Sequence, residues 1–185
     1  MLAEIIENRR AIYPDVYSNQ PIPKEEINQI LDAANWAPTH KRTEPWRFKV
    51  FHSETSRKQL STFLGEAYVK SVESPSDFKR KKMEQKALQS GCVIAICMQR
   101  DPEARIPEWE EVASVAMAVQ NMWLTAHDLN IGAYWSSPAL IQYVGEHVSL
   151  AEGERCLGFF YMGKYEGELP DGIRKSNISE KTQWM

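Results

Sequence analysis

The sequence predicts an α+β fold in one domain spanning residues 1–185. Three observations carry this reading. The runs "WRFKVFH" (46–52), "CVIAICMQ" (92–99) and "RCLGFFYMGKY" (155–165) are apolar or alternating and too short for helices, so they read as strands. Longer stretches with apolar residues at helical spacing lie before and between them. No internal repeat, low-complexity segment or linker-like boundary divides the chain. The order is helix, helix, strand, helix, strand, long helix, strand, tail.

Leu2, Ile5, Ile6 and Arg9 fall on one helical face, and Pro14 ends the pattern. In "PIPKEEINQILDAANWAP" (21–38), Pro23 suits a first helical turn and Glu25 and Glu26 suit the positive helix start; Ile27, Ile30, Leu31 and Ala34 form the stripe, and Pro38 stops it. Trp46, Phe48 and Val50 alternate with Arg47 and Lys49, the mark of a half-buried strand. Ser53 can cap a helix carrying Leu60, Phe63 and Leu64. Residues 66–90 are charged, with "KRKK" at 79–82, and read as a solvated helix or a mobile flap. The run 92–99, bounded by Gly91 and Pro102, reads as a central strand. "EWEEVASVAMAVQNMWLTAHDLNIG" (108–132) is the strongest helix, acidic first and then apolar nearly all round at 113–118, with Gly132 placed to terminate it. From Gly167 to Met185 no period stands out.

Composition narrows the function. Hydrophobic residues at 43% and charged residues at 25% suit a soluble globular protein. A net charge of −3 gives no footprint for nucleic acid, and no apolar run approaches the roughly 20 residues that span a bilayer. "MLAEIIENRR" mixes acids into its start and offers no small-residue cleavage site, so it does not read as a secretory signal. Cys92, Cys97 and Cys156 all lie in apolar surroundings; buried free thiols point to the cytoplasm.

The motifs of several active-site types are absent: G-x-S-x-G, H-E-x-x-H, the phosphate loop of nucleotide hydrolases, C-x-x-C and G-x-G-x-x-G. The four histidines, His40, His52, His127 and His147, lack metal-ligand spacing, so no metal is expected. What remains is a scatter of cationic and aromatic groups at element ends: Arg9-Arg10, His40-Lys41-Arg42 beside Trp36 and Trp46, and Arg174-Lys175. Arginine holds phosphate through a planar fork and also stacks on rings. A basic pair at a helix end is equally explained by solvation and by the helix dipole. Without a nucleophile–base pair, chemistry here would belong to a bound cofactor.

Taken together, these segments resemble a known family. "NRRAIYPD" (8–15), "PIPKEEINQILDAANWAPTHKRTEPWRFKVF" (21–51), "IGAYWSSPAL" (131–140) and "LGFFYMGKYEGELPDGIRK" (157–175) are similar to the nitroreductase superfamily of FMN-dependent NAD(P)H oxidoreductases, and "APTHK" with "YWSS" to its compact subgroup. The resemblance implies a nitroreductase-like fold: a central, mainly antiparallel sheet flanked by helices, in an intertwined homodimer with FMN at the subunit interface. It implies passage of a hydride from NADH or NADPH through FMN to a small-molecule electron acceptor such as a nitroaromatic or quinone, by ping-pong kinetics.

The resemblance assigns cofactor-binding roles to Arg9, Arg10 and Ala11, where a serine commonly follows the arginine pair; to Trp36 and His40, reaching the flavin from the partner subunit; to Trp135, Ser136 and Ser137 beside the ring; and to Arg174 and Lys175 at the phosphate. Trp135 serves equally as core packing. Thr125, Ala126, His127, Asp128, Leu129 and Asn130 match a stretch associated with the nicotinamide donor, although a helix end packs there anyway. Glu44 stands where the family often has glutamine and could pair with Lys41 or Arg42. No catalytic side chain is implied. Two other readings stay open: an FMN-binding or storage protein without catalysis, and a dimeric interaction protein that has lost flavin.

Overall fold

The computed structural model of the protein describes residues 1–169 and 171–185. Its helices are α1 (Leu2–Asn8), α2 (Lys24–Asn35), α3 (Glu54–Ser71), α4 (Asp77–Gln89) and α5 (Glu108–Asp128). Its strands are β1 (Trp46–Phe51), β2 (Cys92–Gln99), β3 (Ile131–Ser136) and β4 (Glu154–Lys164). Short 3₁₀ turns occupy Pro14–Val16, His40–Arg42, Ala139–Glu146 and Ile178–Lys181.

The strands form one antiparallel sheet in the order β1-β2-β4-β3, with Ile94 opposite Phe160 and Tyr134 opposite Tyr161. Side chains alternate across a strand, so successive β2 residues enter different layers. Ile94, Ile96, Phe160 and Met162 pack with α2 and α5; Val93, Ala95, Phe159 and Tyr161 pack with α3 and α4. Burial on both faces is why β2 is apolar without interruption. Each fully buried side chain of this size contributes about 1.5–3 kcal/mol. Cys92, Cys97 and Cys156 are buried free thiols, as their apolar surroundings indicate. Among the described residues no helix is long and apolar enough to cross a membrane.

Several expectations are corrected. Helix α1 stops at Asn8, well before Pro14, because Arg9 turns extended at φ −60 and ψ 131. Pro23 is the N-cap of α2, its carbonyl accepting the N–H groups of Glu26 and Ile27. Of the two readings of 66–90, the helical one holds: α3 runs on to Ser71, Pro75 falls in the break, and α4 begins after Ser76. Helix α5 is not ended by Gly132. Asn130, at φ 54, turns the chain, and Gly132 lies in β3 opposite Gly163. That strand escaped the periodicity reading because it is six residues long and follows α5 after a two-residue turn. Nor is α5 buried all round: Val115, Ala118, Val119 and Met122 face the core, whereas Trp109 and Met117 are 69% and 39% exposed.

Candidate functional site

Strand β3 is a sheet edge, and the segment after α1 lies along its outer side. The Ile12 N–H donates to the Ala133 carbonyl at 3.1 Å. The Tyr17 hydroxyl lies 2.7 Å from the Ile12 carbonyl and 3.1 Å from the Tyr161 carbonyl, tying the segment to β4. Gly163 makes room for that ring: a Cβ there would stand 2.7 Å from the Tyr17 Cβ. The Tyr13 ring packs at 4.8 Å against that of Tyr134, whose hydroxyl is pushed up to about 12, chiefly by burial.

This path places three guanidinium groups together. Arg9 lies over the Trp123 ring at 4.5 Å. Burial lowers its pKa, and the positive charges of Arg174 and then Arg10 lower it further. Arg10 donates through Nη1 to the carbonyls of Glu7 at 2.5 Å and Arg9 at 3.0 Å, and Gly172 of the tail lies against its fork, where a Cβ would stand 2.8 Å from Nε. The Nε atoms of both Arg9 and Arg10 are buried and have no partner. None of the three arginines makes an ion pair among the described residues; Glu7 offers Arg10 its carbonyl rather than its carboxylate. Like charges gathered without a counter-ion, with donors left over, suit an oxyanion.

The remaining expected residues divide into two groups. Ala11 is exposed beside the arginines, and Lys175 is exposed beside Arg174. His127 is held low in pKa first by burial and then by Arg9 and Arg10, so the end of α5 faces the cluster. Its neighbours serve the helix: Thr125 donates to the Asn121 carbonyl at 2.9 Å, Ala126 is fully buried, Leu129 donates its N–H to the Thr125 carbonyl and accepts Lys164 at 3.1 Å, and Asp128 and Asn130 are exposed at the turn. Trp135 packs as core: its indole covers Gly158 and donates to the Leu157 carbonyl at 3.3 Å. Ser136 and Ser137 follow it on the free edge, half-buried and exposed.

Trp36 and His40 lie elsewhere. Trp36 is 86% exposed, and His40 meets Glu110 at 2.5 Å near the start of α5. Glu110 and Trp123 are 13 residues apart on that helix, a rise of about 20 Å. One chain therefore does not bring the His40 loop to the arginine cluster. Within the loop, Lys41, Arg42 and Glu44 all have positive φ (50, 54 and 41) without a glycine, a strained path. Glu44 pairs with neither Lys41 nor Arg42 among the described residues; Lys41 instead donates to the Arg105 carbonyl at 3.1 Å.

Sequence reading missed the cavity of about 670 Å³ between the turn after Tyr13 and α4, lined by Tyr13, Phe78, Lys81, Lys82, Lys86 and Tyr134. These residues come from three separate elements with no shared period, so nothing local marks them. No cluster of possible metal ligands exists among the described residues.

The family described as the Nitroreductase family matches residues 6–164. A Bacillus subtilis (strain 168) relative named "Putative NAD(P)H nitroreductase YfhC" is 29% identical over 187 residues, covering 98% of this chain and 92% of its own. The crystal structure of a nitroreductase-like family protein from Bacillus cereus aligns with a TM-score of 0.82 at 26% identity, covering 100% of this chain and 96% of the other. A nitroreductase with bound FMN from Bacteroides fragilis NCTC 9343 shares the fold at a TM-score of 0.71 and 18% identity, with 95% of each chain covered. A match across most of the chain, on the same arrangement of strands and helices, makes this protein a member of the Nitroreductase family.

Proposed function

We propose that the protein is an NAD(P)H-dependent FMN oxidoreductase acting on an electron-poor small molecule, in one domain and as a homodimer in the cytoplasm. The observation that carries this is the uncompensated group Arg9, Arg10 and Arg174, with two buried Nε donors lacking partners. The residues present fit FMN. A phosphate dianion would relieve the mutual repulsion and take both free donors. Arg9, Arg10, Arg174 and Lys175 would hold the phosphate; the backbone at Ala11 and the edge Trp135–Ser137 would face the ring. Trp135 acts there through its packing on Gly158.

The redox chemistry is that of the bound cofactor, which supplies two-electron transfer between NAD(P)H and the acceptor. The chain's own residues bind, orient and exclude water. The arginines keep positive potential at one end of the site, and His127, held neutral by its surroundings, adds none. Donor and acceptor using one site in turn gives ping-pong kinetics. The residues Thr125, Ala126, His127, Asp128, Leu129 and Asn130 place the end of α5 beside that site, where the donor would approach.

The partner's role follows from symmetry. A two-fold axis perpendicular to α5 would set the two copies of the helix antiparallel, so that the Glu110 end of one meets the Trp123 end of the other. This would carry the partner copy's Trp36 and His40 toward the arginines, and it would cover Trp109 and Met117. Contacts across such an interface would hold the 41–44 backbone, which is strained in the single chain.

The test is an absorbance spectrum of the purified protein, heat release of the chromophore, and anaerobic titration with NADH and NADPH. The expected result is one FMN per chain, bleached by either or both donors. Release of FAD or of no flavin overturns the reading; bound FMN that no nicotinamide bleaches selects a storage protein instead.

A further inference from the structure

Two thiols meet across the central strand pair of the sheet. Cys97 of β2 lies directly opposite Cys156 of β4, at the point where the register shifts between Ile96 and Cys97. Residues directly opposite in an antiparallel pair project to the same side, with Cα atoms about 4.5–5.5 Å apart. A disulfide spans Cα separations of about 4.4–6.8 Å, so a bond between these two fits the strand pairing. Both thiols are free and belong to the α3–α4 layer. They are not equivalent: Cys97 is 0% exposed and Cys156 7%. The Cys97 thiol donates a hydrogen bond to Cys156, which raises the Cys97 pKa together with burial and lowers that of Cys156 against its own burial. The more accessible sulfur is therefore the one whose thiolate is favoured. Cys92 differs from both. It opens β2 opposite Met162, fully buried in the α2–α5 layer, and burial pushes its thiol up to about 12.

We propose that Cys97 and Cys156 form a peroxide-reactive dithiol: a hydroperoxide oxidises Cys156, and Cys97 then closes a reversible disulfide between β2 and β4 of the same chain. The inference is independent of the oxidoreductase reading. In the first step the Cys156 sulfur attacks a peroxide oxygen. The S–O bond forms, the O–O bond breaks, and the other oxygen leaves as an alcohol or water with the thiol proton. The product is a sulfenic acid at Cys156. In the second step the Cys97 sulfur attacks the Cys156 sulfur. The S–S bond forms, the S–O bond breaks, and the oxygen leaves as water with the Cys97 proton. Two electrons pass from the thiol pair to the peroxide, and a dithiol reductant returns them.

The test exposes the protein as purified, in the dark, to hydrogen peroxide, removes the peroxide with catalase, and denatures the protein in N-ethylmaleimide. Intact mass and non-reducing peptide mapping give the outcome. Wild type should take up maleimide on Cys92 alone, where the reduced protein takes it on Cys92, Cys97 and Cys156. One peptide pair should be linked through Cys97 and Cys156, and dithiothreitol should restore all the thiols. Cys97→Ala should leave Cys156 as a sulfenic acid, captured when dimedone replaces the maleimide. Cys156→Ala should keep Cys97 unreacted, and Cys92→Ala should form the disulfide as wild type does. A full set of free thiols after peroxide overturns the proposal. So does a bond that involves Cys92 or joins two chains, a sulfinic acid at Cys156 with no disulfide, or a dimedone adduct on Cys97 in Cys156→Ala. The wild-type map decides the pairing even where a variant fails to fold.

Discussion

Arg10 does two things at once. It donates Nη1 to two carbonyls at the end of α1 and leaves Nε buried without a partner. Arg10→Ala should therefore keep the fold and weaken FMN. A hydrogen bond to a charged group contributes about 1.5–3 kcal/mol, or roughly ten- to a hundredfold in affinity. Arg80→Ala, which removes a partly exposed ion pair on α4, should change affinity by less than twofold, as flavin fluorescence titration would read. Equal losses would assign the effect to general positive charge. Asp101 offers a second test. It accepts Arg105 Nε at 2.9 Å and Nη2 at 3.0 Å, and this fork holds its carboxyl down to about 2 from an ordinary 3.8. The charged form is thus favoured in the folded state. Its contribution is complete above about pH 3.8 and is lost as pH falls toward about 2. Urea midpoints of Asp101→Asn should be flatter than wild type across that window.

Among the elements, the β3–β4 edge depends on small residues that admit large neighbours. Gly163 has no room for a Cβ under Tyr17, so Gly163→Ala should displace the ring and loosen its hydroxyl contacts to Ile12 and Tyr161. Overpacking of this kind costs about 1–3 kcal/mol. Since the Ile12 contact holds the arginine segment against β3, FMN affinity should fall together with the urea midpoint; a stability loss without an affinity loss would separate the two. In the α3–α4 layer, the His147 ring stacks between Phe51 at 5.6 Å and Phe63 at 4.9 Å, and burial lowers its pKa below the ordinary 6.5. The neutral ring is the folded form, so stability is full above pH 6.5 and declines as pH falls below it. His147→Phe should remove that slope from thermal melts.

For the whole molecule, the His40 loop and the arginine cluster lie about 20 Å apart along α5, and the helix exposes Met117 between them and Trp109 beside the loop. Sedimentation at low micromolar concentration should give a dimer that holds the flavin. Met117→Glu, which places a charge on that face, should shift the protein toward monomer and release FMN; a flavin-loaded monomer would overturn the interface role of this face.

Local pattern was enough for α2, the start of α5, β1, β2 and β4, because alternation and helical spacing record which side of an element is buried. Resemblance to a family, and not local pattern, marked Arg9, Arg10, Arg174 and Lys175 for the cofactor; the structure brings the three arginines near one another. Three things lay beyond local pattern. The end of α1 at Asn8 and the turn at Asn130 depend on backbone torsions that no neighbouring residue dictates. Strand β3 exists because β4 supplies its hydrogen-bond partners from residues about 30 positions away. The lysine-lined cavity is made by Tyr13, α4 and Tyr134, which meet only when the sheet brings its edge to the helix. Spacing along a chain reports what an element buries; the charge and shape of a space between elements come from their packing against one another.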